Sequence, residues 1–284
     1  MYDLTMGDFD PKTKKLFLLD MDGTIYLDNT MFPGALEFLD GIKKNGGRYV
    51  FLTNNSSKSV DAYVEKMLAL DVHCYSNDFL TSIDCLIEKL ADKKNQLMYI
   101  MGTQSFVDQM RDNGFNVISE LEFERVEEGK DYEAFLESKI EIVVLGFDRE
   151  LTFSKLDRVC RVLSKGQGKL EYYATNPDWV CPTEYGSVPD CGSFAQIIET
   201  ATGFKPKFIG KPEPDMVEMA MKKFGVSKEE TVVIGDRIYT DIASGVNAGV
   251  DTVFVLSGEG VENDIEKYGV KPTWILDSIA EINW

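Results

Sequence analysis

Apolar and polar positions along the chain repeat one pattern: a short, wholly apolar run breaks off into polar residues, and a segment with apolar residues at helical spacing follows. The first instance is Leu16-Phe-Leu-Leu19, which ends at Asp20-Met-Asp22-Gly23-Thr24. A run of that kind predicts a strand buried on both faces, as in a parallel sheet. Pro33-Gly34 then opens a helix with Phe32, Ala35, Leu36, Leu39 and Ile42 on one face, closed by Asn45-Gly46-Gly47. Arg48-Tyr-Val-Phe-Leu52 predicts the second strand and ends in Thr53-Asn54-Asn55-Ser56-Ser57. Val60, Tyr63, Val64, Met67 and Leu68 mark the helix after it, so the chain begins as a βαβ unit.

From about Thr81 the texture changes. A helix near Ser82 to Leu90, a strand Leu97–Met101, a helix Ser105–Arg111 and a strand Ile142–Phe147 are predicted. A helix with Leu156, Val159, Cys160 and Leu163 inward follows, then Glu171-Tyr-Tyr-Ala174, ending at Thr175-Asn176-Pro177-Asp178. Such a block can bury its own small core. It reads as an inserted domain over 82–187, leaving 1–81 and 188–284 as the main domain. The acid-rich stretch Glu120–Glu128 inside it reads as a solvated face. Phe194, Ile197, Ile198 and Ala201 resume the helical pattern up to Gly203. A short strand ending at Lys211, a helix with Met216, Val217, Ala220, Met221 and Phe224 inward, and a strand Thr231–Gly235 ending at Asp236 come next. Strands at Thr252–Leu256 and Trp274-Ile275 and a final helix close the chain.

Composition narrows the function. At 284 residues and 44% hydrophobic content the chain is long enough for one large or two smaller α/β domains. Its net charge of −18 argues against nucleic acid or an anionic membrane as partner. An anionic substrate must then be attracted locally, by a metal or a placed lysine. No apolar run approaches the ~18 residues of a membrane span. The N-terminus lacks a basic start and an apolar signal region. Cys74, Cys85, Cys160, Cys181 and Cys191 are odd in number without a Cys-x-x-Cys pair, and read as reduced, structural cysteines of a cytoplasmic protein. Gly166-x-Gly168 lacks the third glycine and the leading strand of a dinucleotide site. His73 is the only histidine and reads as a surface residue, and there is no G-x-S-x-G, so a Ser-His-Asp hydrolase is not supported.

Asp20 and Asp22 would project to one side if the extended backbone carried through Met21. Alone, the pair admits a turn, a metal site or an acid/base pair. A calcium loop fails, because Ile25 and Met31 stand where Gly and Glu are needed. Several strands, however, end in reactive side chains: Asp20 and Asp22, Thr53, Lys211, then Asp236 and Asp241. In a parallel sheet such ends share one edge, where ligands of open α/β sheets bind, and a mere turn does not explain the set.

Asp20-Met-Asp22-Gly23-Thr24, Thr53-Asn54, Lys211 and Gly235-Asp236 with Asp241 resemble, in order, the four motifs of the haloacid dehalogenase superfamily of aspartate-nucleophile phosphohydrolases. Thr175-Asn176-Pro177-Asp178, Gly210-Lys211-Pro212 and Gly235-Asp236-Arg237-x-x-Thr240-Asp241 are similar to its NagD-like, para-nitrophenylphosphatase-like branch, subclass IIA. The resemblance implies a Rossmann-like parallel-sheet α/β core, the HAD fold, carrying an inserted α/β cap domain. It implies Asp20 as nucleophile, Asp22 as acid/base, and Thr53 and Lys211 as holders of the phosphoryl oxygens, helped by Asn54. It implies Mg²⁺ at Asp20, the Asp22 carbonyl, Asp236 and Asp241, and substrate contact by the cap loop Asn176, Pro177 and Asp178. The expected reaction is hydrolysis of a small phosphorylated metabolite. A phosphotransferase or mutase, or a non-catalytic phosphometabolite sensor, are the alternatives. The substrate and the oligomeric state are left open, a homodimer through the cap among the options.

Overall fold

The computed structural model describes residues 9–124, 130–183 and 185–284. Met1–Asp8 and the 125–129 part of the acid-rich stretch lie outside the described residues. The chain divides into two compact units, one of Met1–Thr53, Val60–Thr81 and Gly210–Trp284, the other of Asn54–Ser59 and Ser82–Ile209.

The first unit is built on a six-stranded, all-parallel sheet. Its strands lie in the spatial order Phe79–Thr81, Arg48–Thr53, Leu16–Leu19, Thr231–Gly235, Asp251–Val255 and Trp274–Leu276. Counted by their order in the chain, that is 3-2-1-4-5-6, the doubly wound arrangement with a switch point between strands one and four. Leu16–Leu19 lies at that point, flanked on both sides in register with Thr231–Ile234 and Arg48–Phe51. Its four residues are fully buried, as a central strand covered on both faces requires.

Helix Ala35–Lys44 packs Ala35, Phe38, Leu39 and Ile42 into the core. Leu36, expected on that face, is exposed and Phe38 takes its place. At about 100° per residue the two lie on opposite flanks of the face formed by Ala35, Leu39 and Ile42, so the apolar stripe shifts sideways without leaving that face. The C-terminus closes with a short 3₁₀ turn, Ile279–Glu281, where a helix was expected. The terminal Trp284 packs with Phe17 and Phe38.

The second unit holds a five-stranded parallel sheet in the order Lys207–Phe208, Glu171–Ala174, Ile142–Leu145, Met98–Met101 and Val117–Ile118. The expected boundary at 187 is displaced. Helix Cys191–Thr202 buries Cys191, Phe194, Ala195 and Ile198 in the same cluster as Tyr99, Val143, Leu145 and Ala174, so 188–209 pack here and not with the first unit. Sequence periodicity reports which face of a helix is apolar but not which sheet that face meets. Among the described residues no helix is long and apolar enough to cross a membrane.

Candidate active site

The switch-point strand delivers Asp20 to the carboxyl edge of the first sheet. Leu19 pairs with Ile234, and the Asp20 N–H donates to the Ile234 carbonyl at 2.9 Å, which brings Asp20 beside Gly235 and Asp236. The chain then turns sharply. The amides of Thr24, Ile25 and Tyr26 all converge on the Met21 carbonyl, and Gly23 donates to Tyr26 at 2.9 Å. Gly23 adopts φ +88, and a Cβ there would lie 2.3 Å from Asp236 Oδ2. Only glycine lets the turn come so close to that carboxylate.

Asp236 follows the buried strand Thr231–Gly235, and its Oδ2 accepts the Glu259 N–H at 2.7 Å. Asp241 sits on a single π-helical turn, Ile238–Ile242, a deviation common at functional sites. Its Oδ2 accepts the Arg237 N–H at 3.0 Å. The Lys211 ammonium donates to Asp20 Oδ1 at 2.7 Å, to Asp241 Oδ1 at 2.5 Å and to the Leu52 carbonyl at 3.1 Å. Oxygens of Asp20, Asp236 and Asp241 all lie within 4.8 Å of one another.

Three carboxylates that close and that buried cannot all be charged without compensation. Burial, reinforced by Asp241, raises the Asp20 carboxyl well above its ordinary value, against the opposing pull of Lys211. Burial and Asp241 likewise push Asp236 up to about 7. Burial alone would lower the Lys211 ammonium, yet Asp20 and Asp241 hold it above the usual lysine value. Hard carboxylate oxygens at this spacing form a donor set that fits a small divalent cation, and Gly23 leaves beside it a gap that a side chain would fill.

Asp22 is exposed, two residues after Asp20. Thr53 is buried at the end of its strand, paired with Thr81. Lys211 corrects an expectation: no strand of this sheet leads to it. The short strand Lys207–Phe208 pairs with Glu171–Ala174 in the second unit's sheet, and Lys211 enters the first unit on the loop after Ile209.

Asn54, Asn176, Pro177 and Asp178 belong to the second unit. Asn176 and Asp178 are buried, and Pro177 is half-buried with its carbonyl against Gly192. Asp178 Oδ2 accepts Nδ2 hydrogen bonds from both Asn54 and Asn176 at 2.8 Å. Sequence reasoning gave no part to the Glu259 amide or to the Thr24 hydroxyl, which lies 3.5 Å from Asp236 Oδ1. The first could have been found, because Ser257-Gly-Glu-Gly260 is one more polar break after an apolar strand, Asp251–Val255.

Residues 17–116 match the haloacid dehalogenase-like hydrolase family and residues 208–282 the HAD-hydrolase-like family. The chain is 32% identical to the 5'-nucleotidase YutF of Bacillus subtilis, over 95% of its own length and 98% of that protein's. It is 29% identical to an acid sugar phosphatase of Staphylococcus epidermidis, over 93% and 94% of the two chains. Among solved structures, the 4-nitrophenylphosphatase of Thermotoga maritima superimposes with a TM-score of 0.82 at 37% identity, over 95% of this chain and 97% of that one. NagD of E. coli K-12 gives 0.80 at 29% identity, over 95% and 99%. The fold and the acidic site thus define a hydrolase of the HAD class. The chain belongs to the haloacid dehalogenase-like hydrolase family, and its enzyme class is that of the phosphoric monoester hydrolases.

Proposed function

We propose that the protein hydrolyses small phosphate monoesters, with Mg²⁺ and through an aspartyl-phosphate on Asp20. The observation that carries this reading is the buried Lys211 ammonium on Asp20 and Asp241, beside a cluster of three carboxylates at the switch point of the sheet. The 5'-nucleotidase and sugar phosphatase relatives support a nucleotide or sugar phosphate as substrate.

An Asp20 carboxylate oxygen attacks phosphorus in line. The phosphorus–oxygen bond to the leaving group breaks as Asp22 gives that oxygen a proton. A water then attacks the aspartyl-phosphate, Asp22 takes its proton, and phosphate leaves with Asp20 restored. Lys211 and the Thr53 hydroxyl hold phosphoryl oxygens where negative charge is greatest, with the Asn54 amide beside them. Asp20, the Asp22 carbonyl, Asp236 and Asp241 would hold the Mg²⁺, which neutralises the crowded acids and the phosphoryl group. The second unit, as the counterpart of the family's cap, is assigned to leaving-group selection.

Purified protein with Mg²⁺ should release phosphate from para-nitrophenyl phosphate, and Asp20→Asn should not. Equal activity in the two would sink the mechanism. Product analysis with and without an acceptor alcohol separates hydrolysis from transfer.

A further inference from the structure

In the second unit, the segment just after Thr53 is tied into a buried, directional hydrogen-bond network. The Phe147 N–H donates to Ser56 Oγ at 2.8 Å, and Ser56 Oγ lies 3.0 Å from Thr175 Oγ1. The Thr175 hydroxyl donates to Asn176 Oδ1 at 2.9 Å. Asn176 Nδ2 donates in turn to Asp178 Oδ2 at 2.8 Å and to Asp190 Oδ1 at 3.1 Å. Asp190 also caps helix Cys191–Thr202 through the Cys191 N–H, at 2.5 Å. Asn54 joins at Asp178 through its Nδ2, and the Ser82 hydroxyl grips its carbonyl at 2.9 Å. Every side chain in the set is buried, Asn176 and Thr175 completely.

We infer that Asp178, oriented by Asn176, is a positioning residue that fixes the Thr53–Asn54 peptide for phosphoryl binding and does not itself read the leaving group. The inference rests on the phosphatase reading above. The amide assigned to the phosphoryl oxygens belongs to the peptide joining Thr53 to Asn54, so its direction follows the Asn54 backbone. That backbone is held on its side chain by Asp178 and on its carbonyl by Ser82. Asp178 and Asn176, taken from sequence as substrate contacts, are engaged within the protein: Asp178 Oδ2 accepts from both Asn54 and Asn176, and Asn176 also binds Thr175 and Asp190. Networks of buried, mutually polarised hydrogen bonds rigidify what they touch. An oxyanion donor is worth most when its position is set before the reaction.

A positioning role and a substrate contact differ in one readout. If Asp178 fixes the amide, Asp178→Ala lowers kcat/KM by the same factor for an aryl, a sugar and a nucleoside monophosphate, roughly 10- to 100-fold for a displacement on the order of 1 Å. Inhibition by orthovanadate weakens in parallel, and Asp178→Asn, which keeps one acceptor, recovers part of the loss. Asn54→Ala costs about as much as Asp178→Ala, and the double variant no more than either, since the two act as one unit. Losses that differ several-fold among the leaving groups, or a folded Asp178→Asn and Asn54→Ala with wild-type kcat/KM and vanadate inhibition, overturn the inference. Should Asp178→Ala not fold, those two variants carry the test. A wild type that binds vanadate with Mg²⁺ but hydrolyses nothing refutes the phosphatase reading alone, and calorimetric vanadate affinity then reads the positioning role. A wild type that binds no vanadate overturns both.

Discussion

Gly23→Ala isolates how closely the first turn and the Asp236 carboxylate depend on each other. Two costs are separable. At φ +88 an alanine pays the left-handed penalty, roughly 1–2 kcal/mol. Its Cβ would also stand 2.3 Å from Asp236 Oδ2, where 3.4 Å is ordinary contact, so something must yield by about 1 Å. Asp236 has nowhere to retreat. The same oxygen accepts the Glu259 amide at 2.7 Å, and a Cβ at Gly258 would lie only 2.0 Å from it, so backbone closes the other side. The displacement falls on a proposed metal ligand or on Asp22, and misplacement by 1 Å costs on the order of 10²-fold in rate. Gly46→Ala is the control: φ is +76 but nothing lies within 4 Å, so it carries the backbone strain without the clash. In steady-state phosphate release across a Mg²⁺ titration, Gly23→Ala should lose about 100-fold, or need far more Mg²⁺, while Gly46→Ala keeps full activity. Each should melt a few degrees lower. A Gly23→Ala enzyme within threefold of wild type at the same Mg²⁺ requirement would refute the argument.

Further outcomes follow from the buried charges. Asp236 has its carboxyl raised from 3.8 to about 7 in the folded protein, so between those values the native state binds more protons than the unfolded one. Metal-free stability should therefore fall as pH rises from about 4 to 7, and Asp236→Asn should flatten that fall in calorimetric scans. Mg²⁺ should raise the melting temperature most above pH 7, contributing about 2.7 kcal/mol at 100 times its Kd, and a chelator should reverse the gain. Lys211→Met leaves Asp20 and Asp241 without this counter-charge, so about 3–5 kcal/mol of metal-free stability should be lost at pH 8 and less at pH 5, as denaturant titrations would show. In the second unit, Arg158 is buried against Glu120 at 2.9 Å and Glu137 at 2.8 Å and covers the Phe123 ring. Arg158→Met should destabilise by a similar amount, an effect that urea midpoints would detect.

Much of the first unit is legible in the sequence because its strands are buried on both faces. Leu16–Leu19, 232–234 within Thr231–Gly235 and 253–255 within Asp251–Val255 stand out as apolar runs, and each gives way to polar residues where the sheet has its ligand edge. Asp20, Asp236 and Asp241 converge for that reason, as expected. Lys211 is legible from its motif, but the strand before it belongs to the other sheet, and Lys211 itself lies on the loop that follows. Leu36 and Ile197, placed inward by periodicity, are exposed: each lies on the flank of its helix's apolar stripe, and periodicity does not fix which flank the protein covers.

The alternation of apolar and polar segments, with reactive side chains at the breaks, determined by itself the α/β class, the position of the turn that carries Asp20 and Asp22, and the identity of the acidic cluster. Those are local or periodic properties, written into neighbouring residues. Only the tertiary structure decided that helix Cys191–Thr202 closes the second core, that Gly23 exists to admit Asp236, and that Asn54 and Asn176 both donate to Asp178. Each depends on atoms far apart in the chain meeting at a set distance, and the spacing of residues along a sequence carries no such distance.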